Sequence, residues 1–290
     1  MGTARTVFWT PVRDYDLDAT FDCGQAFRWT KRAGDGAWEG IVGARWVRLR
    51  LRDGGIEAET AVPVADWGWL THLLQSEVDL ASVIRTFPDD DPMRASVKAC
   101  RGLRLLRQDP WECLASFILS STKQIVQIRQ IIGLLCSRFG APVLGPAGHP
   151  SMHAFPPAER LAAASESELR ACKMGFRAPN LLATARIVAT GGLDLTAIGT
   201  RPVAEARDRL MELPGVGEKI ANCVLLFSYG FQEAFPVDVW VRKAIRELYF
   251  PRRKPTPQRF ARFVNGYFGA HSGYAQQYLF HYMRTRARRR

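Results

Sequence analysis

The sequence predicts an α+β protein in which a small N-terminal domain with an antiparallel sheet, residues 1–100, precedes an all-helical domain, residues 101–290. In the first 60 residues, short β-type segments alternate with glycine-bearing turns, whereas from about Asp66 onward apolar residues recur at helical spacing. The 290 residues are 47% hydrophobic and 23% charged, which is an ordinary globular composition. There is no run of eighteen apolar residues and no apolar N-terminal stretch of signal-peptide length, so we expect neither a membrane-spanning nor a secreted protein.

The β part is predicted from three strand segments, at residues 27–30, 37–42 and 45–52. The third alternates apolar and basic residues, which predicts a core-facing row and a solvent-facing row: Val47, Leu49 and Leu51 against Arg48, Arg50 and Arg52. The turn at residues 53–55 then leads to Glu57 and Glu59, which can pair across the hairpin with these arginines. We therefore interpret this basic row as structural rather than as a DNA contact.

The helical part is predicted from apolar periodicity at residues 110–119, 123–139, 165–172, 179–190, 203–212, 218–230, 239–249, 256–268 and 273–284. Before it, Asp91 followed by Pro92 predicts a helix start with Asp91 as the capping carboxylate. Residues 140–157, with five prolines and three glycines, are predicted to form a loop.

The cysteines indicate reduced thiols rather than a metal site. All six are far apart and none forms a CxxC pair, so neither a zinc site nor an iron–sulfur cluster is indicated: Cys23, Cys100, Cys113, Cys136, Cys172 and Cys223. Each can also be a small buried hydrophobe. We expect no metal, no organic cofactor and a cytoplasmic protein.

Positive charge is concentrated at the C-terminal end. The formal net charge is +12, and 13 of the 40 Lys and Arg residues lie in residues 241–290 beside one acid, Glu247. Such an end attracts a polyanion, most commonly nucleic acid. The run from Arg286 to Arg290 can equally be a solubilising tail.

The segment Leu213-Pro214-Gly215-Val216-Gly217 lies between two helical patterns. Gly215 and Gly217 allow a tight turn whose backbone N–H groups point outward while the next helix begins at once, which makes an anion site that suits a phosphodiester. An ordinary connection between two helices fits the same residues.

Lys219 and Asp238 are the candidate catalytic pair. Lys219 falls in the first turn of the following helix, where the helix dipole and apolar neighbours favour the neutral, nucleophilic amine. Asp238 arrives through the turn Pro236-Val237 at the start of the next helix. An amine and a carboxylate that face one cleft suit displacement at a sugar C1′, in which the anion balances oxocarbenium-like charge. Taken separately, Lys219 reads as a surface lysine and Asp238 as a helix N-cap.

Together, the hairpin and Pro-Val-Asp resemble the helix-hairpin-helix DNA glycosylases, and further segments narrow the resemblance to the 8-oxoguanine DNA glycosylases, of the bacterial type. The supporting stretches span nearly the whole chain: CGQAFRW (23–29), LLRQDPWECL (105–114), KMGFRA (173–178) and GYAQQYLF (273–280). The resemblance implies that the N-terminal domain is TBP-like and that the helical domain carries the glycosylase site.

The resemblance also implies roles for individual residues. Lys219 would attack C1′ of a flipped nucleotide, expel the oxidised base and hold the sugar as a Schiff base that can undergo β-elimination, while Asp238 stabilises charge. Base recognition is implied for four residues. The carbonyl of Gly24 would accept a hydrogen bond from the N7–H group that 8-oxoguanine has and guanine lacks. Gln276 would contact the Watson–Crick edge of the base, and Cys223 and Phe280 would pack against its two faces.

At the DNA-contacting positions the chain departs from the animal members. Thr122 and Lys123 stand where those members have asparagines, and Gln127 replaces one of the arginines that clamp the opposite cytosine. We therefore expect relaxed discrimination over the opposite base. Phe176 stands in for the wedging tyrosine, and Arg177 keeps the second clamp.

The resemblance implies that the hairpin residues Gly215, Val216 and Gly217 contact the DNA backbone. Trp240 stands at the DNA-contacting position where the family usually has a histidine that contacts the 5′ phosphate.

The expected partner is double-stranded DNA that contains 8-oxoguanine, bound by a monomer associated with the bacterial nucleoid. Two other readings stay open. An alkylated-base glycosylase would keep Asp238 without needing Lys219, and a non-catalytic helix-hairpin-helix DNA-binding module would need neither. The four-cysteine cluster of endonuclease-III-like members is absent, because the last cysteine is Cys223.

Overall fold

The computed structural model describes residues 6–288, with the side chain of Arg288 excluded. Its N-terminal part contains a five-stranded antiparallel sheet in the order β1-β5-β4-β3-β2. The strands are β1 (Thr6–Pro11), β2 (Trp29–Lys31), β3 (Trp38–Val42), β4 (Arg45–Arg52) and β5 (Gly55–Thr60). The predicted antiparallel β domain is therefore confirmed.

The β4–β5 hairpin shows what the basic row does. The register places Arg48 opposite Glu59 and Arg50 opposite Glu57. Arg48 lies 3.6 Å from Glu59, Arg52 lies 3.2 Å from Glu57, and Arg50 also pairs with Glu57. The arginines are thus held by cross-strand carboxylates, as the sequence predicted.

One core-facing prediction on β4 is wrong. Val47 and Leu49 are fully buried, but Leu51 is 50% exposed. Leu51 lies two residues before the turn at Asp53, and it is not part of the apolar cluster that the flanking helices form with the sheet. On the opposite face, Trp46 is buried against Val143.

The helices, in chain order, are α1 (Leu17–Phe21), α2 (Gly68–Leu74), α3 (Leu80–Ile84), α4 (Asp91–Ala99), α5 (Pro110–Leu119), α6 (Ile125–Phe139), α7 (Ala158–Ala162), α8 (Glu166–Arg170), α9 (Ala178–Ala189), α10 (Leu195–Ile198), α11 (Val203–Met211), α12 (Glu218–Val224), α13 (Val239–Ala244), α14 (Pro257–Tyr267) and α15 (Ser272–Arg288). A 3₁₀ turn (Gly175–Arg177) precedes α9, and π-helical turns (Leu225–Tyr229 and Ile245–Tyr249) extend α12 and α13.

Two local predictions need correction. The N-cap of α4 is Asp90 rather than Asp91, because the Asp90 carboxylate accepts from the amide of Met93 at 2.7 Å. The predicted loop at residues 140–157 contains a small hairpin, whose strands are β6 (Pro142–Val143) and β7 (Met152–His153).

Besides the small cluster around Trp46, the described residues form two larger apolar cores. One lies between the sheet and helices α1 and α2, and a larger one fills the helical part. The helical core also takes in Leu80, Phe87 and Met93, which precede residue 100, so the division at residues 100/101 stays a prediction. The six cysteines are unpaired and buried. Within the described residues, no helix is both long and apolar enough to cross a membrane.

Candidate active site

The loop between α11 and α12 forms the predicted tight hairpin. Gly215 has φ +79°, and a Cβ at this position would lie 2.7 Å from the side-chain nitrogen of Asn180. Both the backbone conformation and the close packing therefore require glycine. Gly217 is the N-cap of α12 and no side chain caps it, so amides at this helix start remain available to an anion. Val216 is buried beneath the turn.

Lys219 lies in the first turn of α12 and is half-buried. Its Nζ donates to Ser120 Oγ at 3.3 Å and lies 5.0 Å from the centre of the Phe117 ring. Ser120 Oγ donates its own proton to the carbonyl of Phe117 at 2.7 Å, so a lone pair faces the lysine. The amine is thus held at the C-terminal end of α5 rather than left in bulk solvent.

Asp238 is the N-cap of α13, and its carboxylate accepts a hydrogen bond from the amide of Val241 at 2.8 Å. Burial raises the pKa of Asp238, and the Val241 amide and the charge of Lys219 partly oppose that shift. Within residues 6–288, no carboxylate oxygen lies within 4.0 Å of Lys219 Nζ. The two groups therefore interact electrostatically without being locked in an ion pair.

Cys223 lies one helical turn after Lys219 and is 3% exposed. Burial raises the pKa of its thiol to about 11, against the opposing effect of Lys219. The side chain is therefore a neutral thiol at physiological pH, which suits a packing surface for a base. The charges of Lys219 and Asp238 both act on this thiol, so the three side chains lie in one region of the structure, while their roles stay predictions.

Gly24 and Phe280 are brought together at the junction of the N-terminal part with α15. Gly24 has φ +77°, and a Cβ there would lie 2.9 Å from Ile125 Cδ1 and 3.6 Å from the Phe280 ring. The turn between α5 and α6 links these residues to the lysine, because Ser120 contacts Lys219 while Ile125 contacts Gly24.

Gln276 lies one turn before Phe280 on α15 and is 3% exposed. Its Oε1 is buried without a hydrogen-bond partner among the described residues. The neighbouring Gln277 is bonded differently. Its Nε2 donates a hydrogen bond to the carbonyl of Cys23 at 2.8 Å, which fixes the segment that contains Gly24. A buried unpaired acceptor is costly, which suits a group that is completed by a ligand.

The Arg177 guanidinium lies inside the protein, 3% exposed. It donates to the carbonyl of Ser121 at 2.8 Å and to Thr122 Oγ1 at 2.6 Å, so it holds the turn that leads into α6. Thr122 is itself exposed, with φ +55°, and Lys123 follows it half-buried. The structure thus joins Thr122 and Arg177, although their contact with an opposite base stays a prediction.

The remaining predicted DNA contacts are surface residues. Phe176 is 61% exposed and stacks under the Arg177 guanidinium, 4.1 Å from its ring centre. Gln127 caps α6, because its side chain accepts from the amide of Gln124. Trp240 is half-buried, with Lys243 Nζ 5.7 Å from its ring. Of the arginine tail, Arg286 is exposed, whereas Arg289 and Arg290 lie outside the described residues.

Sequence reasoning missed two groups that contact the candidate nucleophile, Ser120 and Phe117. Both lie at the end of α5, far from Lys219 in sequence, and a serine after an apolar helix is by itself an ordinary cap. It also missed Val239, which is 77% exposed although it directly follows Asp238. Asp238 itself is half-buried, so a single exposed valine next to it is an ordinary surface residue.

Comparison with known proteins gives matches along nearly the whole chain. Residues 7–114 match the family model for the N-terminal domain of 8-oxoguanine DNA glycosylase, and residues 115–268 match that for HhH-GPD superfamily base excision DNA repair proteins. The N-glycosylase/DNA lyase OGG1 of Arabidopsis thaliana is 33% identical, over 94% of this chain and 79% of that protein.

Solved structures agree with these matches. The structure of MBOgg1 in complex with a low-affinity DNA ligand has a TM-score of 0.90 at 32% identity, covering 99% of this chain and 97% of that one. The Clostridium acetobutylicum 8-oxoguanine glycosylase/lyase, in complex with double-stranded DNA containing cytosine opposite 8-oxoG, has a TM-score of 0.88 at 29% identity, covering 99% and 100%.

Proposed function

The chain belongs to the 8-oxoguanine DNA glycosylases of the HhH-GPD superfamily of base excision DNA repair proteins, and from this premise we propose that Lys219 is the nucleophile of the reaction. The protein is a bifunctional enzyme that removes 8-oxoguanine from DNA and has AP lyase activity. The observation that supports the assignment of Lys219 is its place: a half-buried amine beside a carboxylate, with no ion pair to hold it among the described residues.

In the proposed reaction the Lys219 amine attacks C1′ of the extruded nucleotide. A bond forms between Nζ and C1′, the glycosidic bond breaks, and its electron pair leaves with the base, which takes up a proton. Loss of a proton from nitrogen and opening of the sugar ring give an imine. Removal of a C2′ proton then expels the 3′ phosphate, and water hydrolyses the imine to release Lys219.

Asp238 stabilises the positive charge that develops on the sugar as the glycosidic bond breaks. Its position supports this role, because the hydrogen bond from the Val241 amide fixes the orientation of the carboxylate. Ser120 is a positioning residue, since its oxygen orients the amine before attack.

For the base we propose that the carbonyl of Gly24 accepts from N7–H of 8-oxoguanine, with Phe280 and Cys223 on the two faces and Gln276 on the Watson–Crick edge. The unpaired Oε1 of Gln276 and the crowding of Phe280 against Gly24 support this pocket. Guanine lacks the N7 proton and would leave the carbonyl unpaired, which costs about 1–3 kcal/mol.

We also propose that the enzyme discriminates weakly among the bases opposite the lesion. Thr122 offers one hydroxyl where an asparagine would offer an amide, and the Gln127 side chain is held at the start of α6 by its Oε1, which accepts a hydrogen bond from the Gln124 amide, so neither residue replaces the donors expected to face a cytosine. Excision rates measured opposite C, A, G and T should then lie within about tenfold of one another. A preference for cytosine of about 100-fold or more would contradict this proposal.

We propose that the enzyme acts as a monomer, because one chain supplies every residue of the site described above. Equal excision rates per chain across a dilution series, with a monomer mass by light scattering, would support this. A rate that rises with protein concentration would overturn it.

Borohydride trapping on a duplex with one 8-oxoguanine tests the function. Wild type should give a covalent protein–DNA adduct, because borohydride reduces the imine, and Lys219→Gln should give none. Lys98→Gln, which changes an exposed lysine on α4, is the matched control and should trap as wild type. Undiminished trapping by Lys219→Gln would refute the assignment of the nucleophile. Binding without base release by the wild type would indicate a DNA-binding module instead.

A further inference from the structure

A basic and aromatic groove lies on the far side of α14 from the candidate active site. Its volume is about 730 Å³, and the residues that matter here are Tyr249, Phe250, Arg259, Arg262, Phe263 and Tyr267. We call it the α14 groove. Nothing in the proposed reaction uses it.

The floor of the α14 groove is aromatic and ordered. Phe263 and Tyr267 stack with ring centres 4.5 Å apart, and Tyr249 meets Phe263 at 5.1 Å. The hydroxyl of Tyr267 donates to Asp90 at 2.7 Å, which fixes the ring, yet Tyr267 is 40% exposed. A tyrosine held in one orientation with ring surface in water is a ready stacking platform.

The rim of the α14 groove is basic. Arg259 and Arg262 are exposed on α14, and the Arg259 guanidinium lies 5.0 Å from the Phe250 ring. Arg252, Arg253 and Lys254 are exposed in the loop that precedes α14. In the part of the chain that the structure describes, none of these five has a carboxylate within 4.0 Å. Their charge is therefore available to a polyanion.

The groove is close to the candidate active site. The opposite face of α14, through Phe260 and Val264, lines a second cavity of about 470 Å³ together with Lys219 and Glu218. One helix, about 10 Å in diameter, thus separates the α14 groove from the cavity beside the catalytic lysine.

We propose that the α14 groove binds single-stranded DNA, with bases stacked on its aromatic floor and phosphates on its basic rim. Duplex DNA offers phosphates but keeps its bases paired, so it would leave the aromatic floor unused. Unpaired nucleotides use both features, and positive charge beside exposed rings is the pattern of single-strand binding sites. The inference goes beyond the glycosylase reaction, because it concerns undamaged nucleotides and no bond is broken.

The test measures binding of two undamaged 12-mers by fluorescence anisotropy: oligothymidine, and a chain of abasic spacers with the same phosphates and no bases. Wild type should bind oligothymidine about tenfold more tightly, since stacking contributes roughly 1–3 kcal/mol per base. Tyr267→Leu keeps apolar bulk but removes the ring. It should weaken oligothymidine binding about tenfold and leave abasic binding unchanged.

The basic rim is tested separately with Arg259→Gln/Arg262→Gln, two changes at exposed positions that leave every aromatic ring of the groove in place. Because each phosphate contact on a single strand contributes about 0.7 to the slope of log K against log salt, the slope should fall by about 1.4. Arg160→Gln/Arg186→Gln is the matched control, with the same loss of charge at exposed positions on α7 and α9, and should leave the slope unchanged.

Equal affinity for the two 12-mers, or equal slopes for the two double variants, would overturn the proposal. Its failure is distinguishable from failure of the proposed function. Borohydride trapping by the wild type does not depend on the groove, and oligothymidine binding by Lys219→Gln does not depend on catalysis.

Discussion

Replacing Asp238 with asparagine separates the charge of this residue from its structural role. Asparagine caps helices as well as aspartate does, and its Oδ1 can still accept from the Val241 amide at 2.8 Å, so α13 should keep its start. What is lost is one negative charge beside the reacting sugar. At an effective dielectric constant of about 20, unit charges roughly 5 Å apart interact by about 3 kcal/mol.

That interaction exists mainly in the transition state, where the sugar becomes positive. Asp238→Asn should therefore slow base excision on the order of 100-fold, as measured by single-turnover rates at saturating enzyme, while the Kd for uncleaved DNA changes little. The matched control is Asp194→Asn, an N-cap substitution at α10, which should leave the rate unchanged.

The same variant should not be less stable. Burial raises the pKa of Asp238, so ionising this carboxyl group costs more free energy in the folded chain than in the unfolded chain. The folded protein is destabilised by this cost at pH values above the folded-state pKa, and the cost disappears as the pH falls below the unfolded-state pKa. Asparagine removes the cost, so at pH 7 the Tm of the variant should equal or exceed that of the wild type. In the pH–rate profile of the wild type, the apparent pKa of the acid limb should lie above the usual aspartate value of about 3.9. The residual activity of Asp238→Asn should show no such limb.

Two results would refute this reasoning. One is a rate within about threefold of wild type, and the other is a loss of DNA affinity as large as the loss of rate.

Three further predictions concern neighbouring residues. Ser120→Ala should slow the trapping step about tenfold with little change in KM, because Lys219 loses a hydrogen bond of about 1–1.5 kcal/mol. Ser120→Thr, which keeps the hydroxyl, should restore the trapping rate. An unchanged trapping rate in Ser120→Ala would show that the serine does not orient the amine. Burial raises the pKa of Cys223 to about 11, so its thiol should resist iodoacetamide at pH 8 in the native protein and react once the chain is unfolded. Rapid labelling of the native protein at Cys223, measured by peptide mass spectrometry, would argue against a buried thiol. Gly24→Ala should lower the free energy of unfolding, measured by urea titration, by about 1–2 kcal/mol, because Gly24 has a positive φ. The same variant should reduce excision of 8-oxoguanine more than cleavage of a preformed abasic site. Equal losses in the two reactions would contradict the role of Gly24 in base recognition.

Sequence patterns predict the elements of this fold well where their signals are local. The hairpin at Gly215 and Gly217, the carboxylate cap at Asp238 and the arginine row on β4 all depend on residues close together in the chain, and each is found as expected. The cap of α4 was misplaced because a helix start can shift by one residue without changing the pattern. Leu51 was misplaced although the strand has the predicted length, because the end of the β4–β5 hairpin extends past the apolar cluster, which the alternation alone does not reveal.

Contacts between distant segments escape this reasoning. Ser120 meets Lys219 across 99 residues, and Gly24 meets Phe280 across most of the chain, which no periodicity encodes. The family resemblance predicts that Arg177 clamps a base, and the structure shows that its guanidinium also holds the Thr122 turn. Only the tertiary packing reveals that the arginine orders the loop expected to enter the DNA.

The most direct test of the central claim is the identity of the residue that carries the sugar after borohydride trapping. Trypsin cannot cleave after a modified lysine, so an adduct on Lys219 should appear by mass spectrometry as a nucleotide-bearing peptide that spans residues 210–242. Fragment ions should place the added mass on Lys219. An adduct found on another lysine or on the N-terminal amine, with residues 210–219 released unmodified, would contradict the account.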